Sequence, residues 1–500
     1  MNSTHHPHYR FTYCLHSFGC KSNAYESEAI GQFYADQGGQ EVAENPLADL
    51  IVFNTCTVTA EAGRKARQAL RRARKEAPEA CLVVMGCYSQ LEADEGLADF
   101  WGGTDGRLAL AQEALSVWQA RQGLGSKLGS DGPDSASTSS LPSPREGAGL
   151  APSFQQSPTD FSETQGGPQE STAYENLGQV RQQKETRAQI KIADGCNQHC
   201  TYCAIRLARG PLRSRDRQDI LAEARQLLAA GHRELVLTAT NITAFEADKS
   251  RTSLALAELL AELADLPGLG RLRLGSLEPQ ALTPDLVAAL GQNPKLCPHF
   301  HISLQSGSDK VLKLMGRGHT QADYRAIVEA LRHHFPTPAL TTDLMVGFPG
   351  EEEEDFQASY DFAQEIAFAR IHIFRYSARP NTPAARLPQL AETVKKDRAD
   401  RLEALAQKLA AANAAQYLGR EVEVILEQPV GPQDLQPPQD LVDAQAFSGY
   451  TAHYLPAQVY FSASGDGPRG QQGSLWRAKV EALAGETLIC KPLRQICSPL

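Results

Sequence analysis

Apolar residues near the start of the chain gather into short runs at 11–15, 50–53 and 82–85, each followed within two residues by Ser, Asn or Gly. Runs of that length and closure predict buried strands, and the stretches between them carry apolar positions at helical spacing. Residues 8–121 are therefore expected to form an α/β domain. From 122 to 183 the periodicity lapses into Ser, Pro, Gly and Gln, the composition of a disordered linker. Such a chain would span roughly 40 Å and tether its neighbours without fixing their geometry. Between 184 and 412, strand-like runs at 189–192, 235–238, 271–274, 299–304, 340–346 and 371–376 alternate with helical stripes, the order a partial (βα)6 barrel needs. An Ala- and Leu-rich helix gives out near 412–417. Short β-like runs at 421–427, 458–461, 478–482 and 487–491 then predict a small β domain over 413–495, interrupted by a Pro- and Gln-rich run at 429–440.

The length of 500 residues exceeds one ordinary core and fits this division into two or three domains. The N-terminus has no apolar stretch after a basic start, and no run approaches the length that spans a bilayer, so a cytoplasmic protein with no membrane partner is expected. Eleven cysteines in that setting read as reduced thiols, not as a disulfide framework. A net charge of −10 argues against a broadly basic nucleic-acid binder while leaving room for a local basic channel.

Chemistry concentrates at Cys196, Cys200 and Cys203. Their CxxxCxxC spacing suits three corners of a cubane cluster with the fourth iron open. A zinc site usually closes with four ligands in CxxC pairs, and no fourth Cys follows nearby. Together with Tyr202 before the last Cys, the motif resembles that of the radical S-adenosylmethionine (SAM) enzymes. The resemblance implies that the open iron binds the amino and carboxylate groups of SAM, and that an electron from the cluster splits it to a 5′-deoxyadenosyl radical. In the first domain Cys20, Cys56 and Cys87 each fall just past a predicted strand. Ligands of an open parallel sheet bind at the carboxyl ends of its strands, so three distant cysteines can converge there. One such Cys reads as a buried small hydrophobe; three at equivalent positions favour a second cluster. Cys14, Cys81, Cys297, Cys490 and Cys497 show no such pattern and are read as structural.

The cysteine triad, the CxxxCxxC barrel and the C-terminal β domain together resemble the methylthiotransferases over nearly all the chain outside the linker. The strings at 19–28 (GCKSNAYESE), 54–59 (NTCTVT) and 86–90 (GCYSQ) are similar to the branch that modifies threonylcarbamoyladenosine in tRNA. The isopentenyladenosine branch usually carries Gln-Met-Asn and Asp-Ser after its first Cys, and the ribosomal-protein branch Lys-Asn and Asp-Ser, where this chain has Tyr25-Glu26-Ser27. The resemblance implies two [4Fe–4S] clusters, SAM as cofactor and methyl donor, and a TRAM-like barrel that grips tRNA. It also implies an electron donor such as flavodoxin or ferredoxin, a sulfur donor left open, and an SCH3 group added at C2 of the adenosine next to the anticodon. An anticodon loop suits this, because single-stranded bases can be splayed into a pocket. Isopentenyladenosine, a ribosomal-protein side chain, or a non-catalytic iron–sulfur scaffold that binds RNA are the alternatives.

Barrel active sites form at the carboxyl ends of the strands. That placement gathers Thr240, Asn241, Ser276, Glu278, Gln305, Asp343, Gly347, Gly350 and Tyr376 around one mouth as candidate SAM contacts. Gly347 and Gly350 are expected to let the backbone approach SAM closely. Ser276 and Glu278 contact SAM by family analogy, although Ser-x-Glu-Pro equally signals a helix start. The basic run from Arg64 to Lys75 reads as a solvated helical face. Arg209, Arg213 and Arg215 follow the Cys loop and are candidates for RNA phosphates or, for Arg209 or Arg213, the threonylcarbamoyl carboxylate; ion pairs within the barrel are the competing reading.

Overall fold

The computed structural model describes residues 10–92, 96–122, 173–431, 444–462 and 469–498. The first domain comprises β1 (Phe11–Ser17), α1 (Lys21–Asp36), β2 (Gly39–Glu41), β3 (Leu50–Thr55), α2 (Ala60–Glu76), β4 (Cys81–Gly86), α3 (Cys87–Leu91), β5 (Phe100–Trp101) and α4 (Arg107–Arg121). Its strands form one parallel sheet in the order β2-β1-β3-β4-β5. Every residue of β3 and β4 is buried, as expected for central parallel strands covered on both faces. Tyr13 packs with Tyr34 and Trp118 on one face, while Cys14 packs with Phe53 and Leu70 on the other. Cys14 and Cys81 are thus core residues.

The barrel follows with β6 (Arg187–Lys191), β7 (Ala193–Asp194), α5 (Ile205–Arg209), β8 (Arg213–Ser214), α6 (Arg217–Ala229), β9 (Glu234–Thr238), α7 (Leu254–Ala264), β10 (Arg271–Leu274), β11 (Ser276–Leu277), α8 (Pro284–Gly291) and β12 (His299–Ile302). It continues with α9 (Asp309–Leu314), α10 (Gln321–His334), β13 (Ala339–Val346), α11 (Glu353–Ile366), β14 (Arg370–Arg375) and α12 (Glu392–Ala415). The six long strands β6, β9, β10, β12, β13 and β14 lie in sequence order and pair in parallel within each of two sheet sections. Leu-rich helices cover them in one continuous core. Among the described residues no helix is long and apolar enough to cross a membrane.

The expected linker ends earlier than its composition suggests. Residues 123–172 lie outside the described residues, but from Ala173 onward the chain is held. Leu177 and Val180 pack on Tyr25 and Ala29 of α1, and the Glu175 carboxylate accepts hydrogen bonds from the Arg107 backbone N–H (2.6 Å) and Nε (2.9 Å). Two apolar residues in a polar segment cannot make a core, yet they suffice to dock on a preformed one.

The C-terminal unit is a closed barrel of β15 (Glu421–Pro429), β16 (Ala444–Thr451), β17 (Pro456–Ser462), β18 (Leu475–Ala484) and β19 (Thr487–Cys497). Strand β16 escapes the sequence pattern because Ser448 and Gly449 dilute its alternation. Gly449 is required there, since a Cβ would lie 1.8 Å from the Ile425 carbonyl oxygen. Most of the Pro- and Gln-rich run lies outside the described residues.

This unit docks on the (βα)6 barrel through two buried arginines. Arg271 and Arg273 Nε donate to the two Glu234 carboxylate oxygens (2.5 and 2.6 Å), and their remaining nitrogens reach the carbonyls of Glu423, Tyr450, Thr451 and Ala452. Burial alone would raise the Glu234 carboxyl; the guanidiniums outweigh it and hold it at about 2. Glu234→Gln leaves both cations uncompensated and is expected to cost about 3–5 kcal/mol in urea unfolding at neutral pH. A folded value below the ordinary 4.5 means that the Glu234 contribution is present above that pH and lost as pH falls toward about 2. Wild-type stability in the variant at pH 7 would refute this.

Candidate functional site

Cys20 caps α1, Cys56 follows β3 and Cys87 opens α3 after β4, so all three stand at carboxyl ends of adjacent parallel strands. The glycine before Cys20 makes the approach possible: Gly19 has φ +96°, and a Cβ there would lie 2.4 Å from both Cβ and Sγ of Cys56. Gly86 (φ +107°) plays the same part against the Thr55 backbone before Cys87. Cys87 lies in the field of Cys20 and Cys56, and burial pushes its thiol up to about 12 against the pull of Arg209. Gly19→Ala is expected to remove the iron of this triad alone, measured as a loss of about half the total after anaerobic reconstitution. Full iron content in the variant would contradict the convergence.

The barrel triad is built by a different loop. Gly195, at φ +73°, carries the chain past Pro211, whose carbonyl oxygen would sit 1.9 Å from a Cβ. The loop is then pinned by Cys196 N–H to the Gly210 carbonyl (3.1 Å) and Thr201 N–H to the Met315 carbonyl (2.9 Å). Burial pushes the Cys203 thiol up to about 12.

The two triads share one electrostatic plan. In each, one sulfur accepts a backbone N–H from two residues on: Val58 to Cys56 (3.5 Å) and Gln198 to Cys196 (3.4 Å). A second sulfur accepts from a guanidinium: Arg209 Nε to Cys87 (3.1 Å) and Arg317 Nη1 to Cys200 (3.5 Å). Donors and cations aimed at sulfur suit thiolates on an anionic iron–sulfur cluster. Among the described residues no three His, Cys, Asp or Glu side chains are grouped so as to hold a metal ion. The thiolates of a cubane sit on separate irons, further apart than ligands around one ion.

A cavity of about 160 Å³ is lined by Val58, two residues past Cys56, and by Tyr202, Cys203, Gln305, Asp343 and Tyr376 from the barrel. Thr240 Oγ1 donates to Asp194 (3.5 Å), and Asn241 accepts from Thr243 (2.8 Å) close to the Cys196 thiol. Gln305 is held at φ +70°, its N–H on the Asp343 carbonyl. Ser276 is exposed.

Three of the expected contacts have partners within the protein. Gly347 N–H donates to Glu351 (2.9 Å), and a Cβ there would lie 2.3 Å from Lys395 Cγ on α12, so helix packing by itself requires a glycine. A Cβ on Gly350 would similarly meet Leu314, at 3.1 Å. Glu278 Oε2 accepts from Arg317 Nη2 (2.5 Å), whose Nη1 donates to the Cys200 sulfur.

The arginines are the larger correction. Arg209 Nη1 binds Glu26 and Asp194 (both 2.7 Å) and Nη2 binds Asn23 (2.6 Å); Arg213 binds Asp105 (2.9 Å) and the Arg209 carbonyl (2.8 Å); Arg215 pairs with Glu223 and Tyr25. All three are at least 98% buried, so they are neither RNA contacts nor free carboxylate receptors. Helix α5 lies between the two domains, and its neighbourhood points inward to acids of α1 and β7. Glu26 and Asn23 lie three residues apart on one face of α1, and Asp194 directly precedes Gly195-Cys196, so proximity to the cysteines was a usable signal for them. Arg317, remote from every cysteine in sequence, offered none.

Residues 190–363 match the Radical SAM superfamily, and residues 12–101 match the Uncharacterized protein family UPF0004. The threonylcarbamoyladenosine tRNA methylthiotransferase MtaB of Bacillus subtilis (strain 168) is 34% identical over 461 residues, covering 91% of each chain. The chain belongs to the radical SAM methylthiotransferase family. As a member it is an enzyme that uses SAM with a [4Fe–4S] cluster. MtaB of Thermotoga maritima is 32% identical over 418 residues (83% of this chain, 86% of that one). The tRNA-2-methylthio-N(6)-dimethylallyladenosine synthase of Jannaschia sp. (strain CCS1) is 33% identical over 424 residues, 83% of each chain.

Proposed function

We propose that this enzyme adds a methylthio group to C2 of N6-threonylcarbamoyladenosine at tRNA position 37, with Cys196, Cys200 and Cys203 holding the cluster that serves SAM and Cys20, Cys56 and Cys87 holding a second. The observation that carries the reading is a cavity bordered by Val58 and Thr59, just past Cys56, and by Tyr202 and Cys203 of the barrel loop. When bound, the barrel cluster supplies the electron that cleaves SAM. An aromatic C–H resists polar substitution, which gives a radical route its chemical reason. Thr240, Asn241, Gln305, Asp343 and Tyr376 would orient SAM beside Cys196 and Cys203. Val58, Met345 and Phe374 give the cavity apolar walls that shield the reacting base from water. An adenosine beside the anticodon can be splayed into such a space.

The 34% and 33% identities to enzymes named for two different N6 substituents do not separate them, so the branch rests on the string that begins at Cys20. Anaerobically reconstituted enzyme, given SAM, a sulfide source and a flavodoxin- or ferredoxin-type reductant, is expected to methylthiolate anticodon stem-loops bearing threonylcarbamoyladenosine and to ignore the isopentenyl version. Nucleoside mass spectrometry reads the product. Turnover of the isopentenyl loop alone would replace the substrate and leave the chemistry standing.

A further inference from the structure

All five N–H donors of Arg209 are engaged. Nη1 reaches Glu26 and Asp194 (both 2.7 Å), Nη2 reaches Asn23 (2.6 Å) and the second Glu26 oxygen (3.2 Å), and Nε is left for the Cys87 sulfur at 3.1 Å. A guanidinium is a rigid planar fork, so holding both terminal nitrogens fixes the direction of the Nε–H bond. The side chain is 1% exposed, which keeps bulk water from competing for that donor. Asn23, whose Oδ1 the same guanidinium holds, lies 3.5 Å from the Cys20 sulfur and is itself fixed by the Phe18 and Thr55 carbonyls (2.9 and 3.0 Å). Arg317 is less tightly aimed: its contact with Cys200 is 3.5 Å, and its Nε is buried with no hydrogen-bond partner among the described residues.

Arg209 comes from the barrel, not from the domain whose sulfur it touches. It closes α5, which starts two residues after Cys203, so one short helix connects the barrel triad to a sulfur of the other. Its charge is offset by Glu26 and Asp194, which Arg107 and Lys191 share, and Glu26 also lies in the field of Cys87. The charges of this group balance, so what reaches Cys87 is chiefly the directed donor. We infer that Arg209 is a positioning residue for the N-terminal cluster: through Cys87 it raises that cluster's reduction potential, so the barrel domain sets the potential of a cluster held by its neighbour. The inference rests on the two-cluster reading above. A donor on a ligand sulfur favours the reduced, more negative cluster over the oxidised one, and hydrogen bonds to sulfur are among the levers that set such potentials.

The test reads the potential itself. Full-length protein with Cys196, Cys200 and Cys203 replaced by alanine keeps the N-terminal triad alone and is expected to hold about four irons after anaerobic reconstitution. Its one-electron reduction by dithionite is followed by electron paramagnetic resonance in a potentiometric titration, and so is that of the same protein carrying Arg209→Lys, or Arg209→Met together with Glu26→Gln. The paired change removes one cation and one anion, so the buried group stays balanced and the fold is spared. It is expected to make reduction about tenfold less favourable, a midpoint lower by about 59 mV for a one-electron couple, with iron content unchanged. Arg209→Lys keeps the charge without the directed Nε–H and should fall between. An arginine with a merely structural role would change the amount of cluster and not its midpoint. An unchanged or raised midpoint in the paired variant would overturn the role of Arg209. If that protein holds no iron, Arg209→Lys decides: a lowered midpoint upholds the role and an unchanged one overturns it, while loss of the cluster from both variants would show that Arg209 serves assembly alone. Absence of iron from the parent protein would overturn the two-cluster reading, and this inference with it.

Discussion

Replacing Cys20, Cys56 and Cys87 together by alanine is expected to lower the iron of anaerobically reconstituted protein from about eight to about four atoms per chain, since each triad supplies three thiolates. The half-reactions should separate in the same way. Cys200→Ser is expected to abolish formation of 5′-deoxyadenosine from SAM, whereas Cys56→Ser should retain it and lose methylthio transfer. The division follows from the neighbours of each triad. Gln305 and Asp343 line a cavity with Cys203 and Asn241 lies beside the Cys196 thiol, while Asn23, Val58 and Arg209 lie against the sulfurs of the N-terminal triad. Full iron in the triple variant, or methylthio transfer surviving in Cys56→Ser, would refute the two-site arrangement.

Strand positions were legible because apolar runs closed by polar residues are local properties. The run predicted at 271–274 is β10 itself, and that at 189–192 sits two residues late against Arg187–Lys191. The placement of Cys20, Cys56 and Cys87 at the carboxyl ends of adjacent strands was legible at one remove, because parallel strands in a covered sheet put those ends on one edge. Side-chain partners across domains were not legible. Arg209 looked like a surface cation beside the site mouth, yet its carboxylate partner Glu26 is 183 residues away in the chain. Charge pattern cannot distinguish a solvated arginine from a buried one whose acids come from another domain. Leu177 and Val180 were hidden for a related reason: their partners Tyr25 and Ala29 belong to α1, and a polar local composition says nothing of a groove elsewhere. The basic face of α2 is solvated only in part: Arg64 pairs with Glu61 in solvent, while Arg67 donates to Tyr88 and Arg74 to Asp99 and the Leu97 carbonyl.

Glu26→Ala is expected to destabilise the protein by about 3–5 kcal/mol and to loosen both triads at once, because it breaks a buried, balanced group of charges. Glu26, Asp194 and Glu175 face Arg107, Lys191 and Arg209. Glu26 binds Lys191 (2.6 Å), Arg209 (2.7 Å) and Arg107 (2.7 Å), and Asp194 binds Lys191 (2.6 Å) and Arg209 (2.7 Å). These contacts join α1, α4, β6, β7 and α5. Burial opposes both carboxylates, and the surrounding cations outweigh it and hold them well below the ordinary range. Depressed folded values mean that their contribution is complete above the ordinary carboxylate range and declines as pH falls below it, so the difference between wild type and variant should shrink in acid. The coupling to iron follows from position: Asp194 precedes the Gly195-Cys196 turn, and the guanidinium that Glu26 holds donates to Cys87. Urea unfolding under anaerobic conditions measures the first effect and iron retention during dialysis the second. Glu61→Gln, which removes an exposed pair with Arg64, serves as the control and should leave the urea midpoint unchanged. A Glu26→Ala protein with the wild-type midpoint and both clusters retained would show that the two domains are held by apolar packing, with the charge group incidental to it.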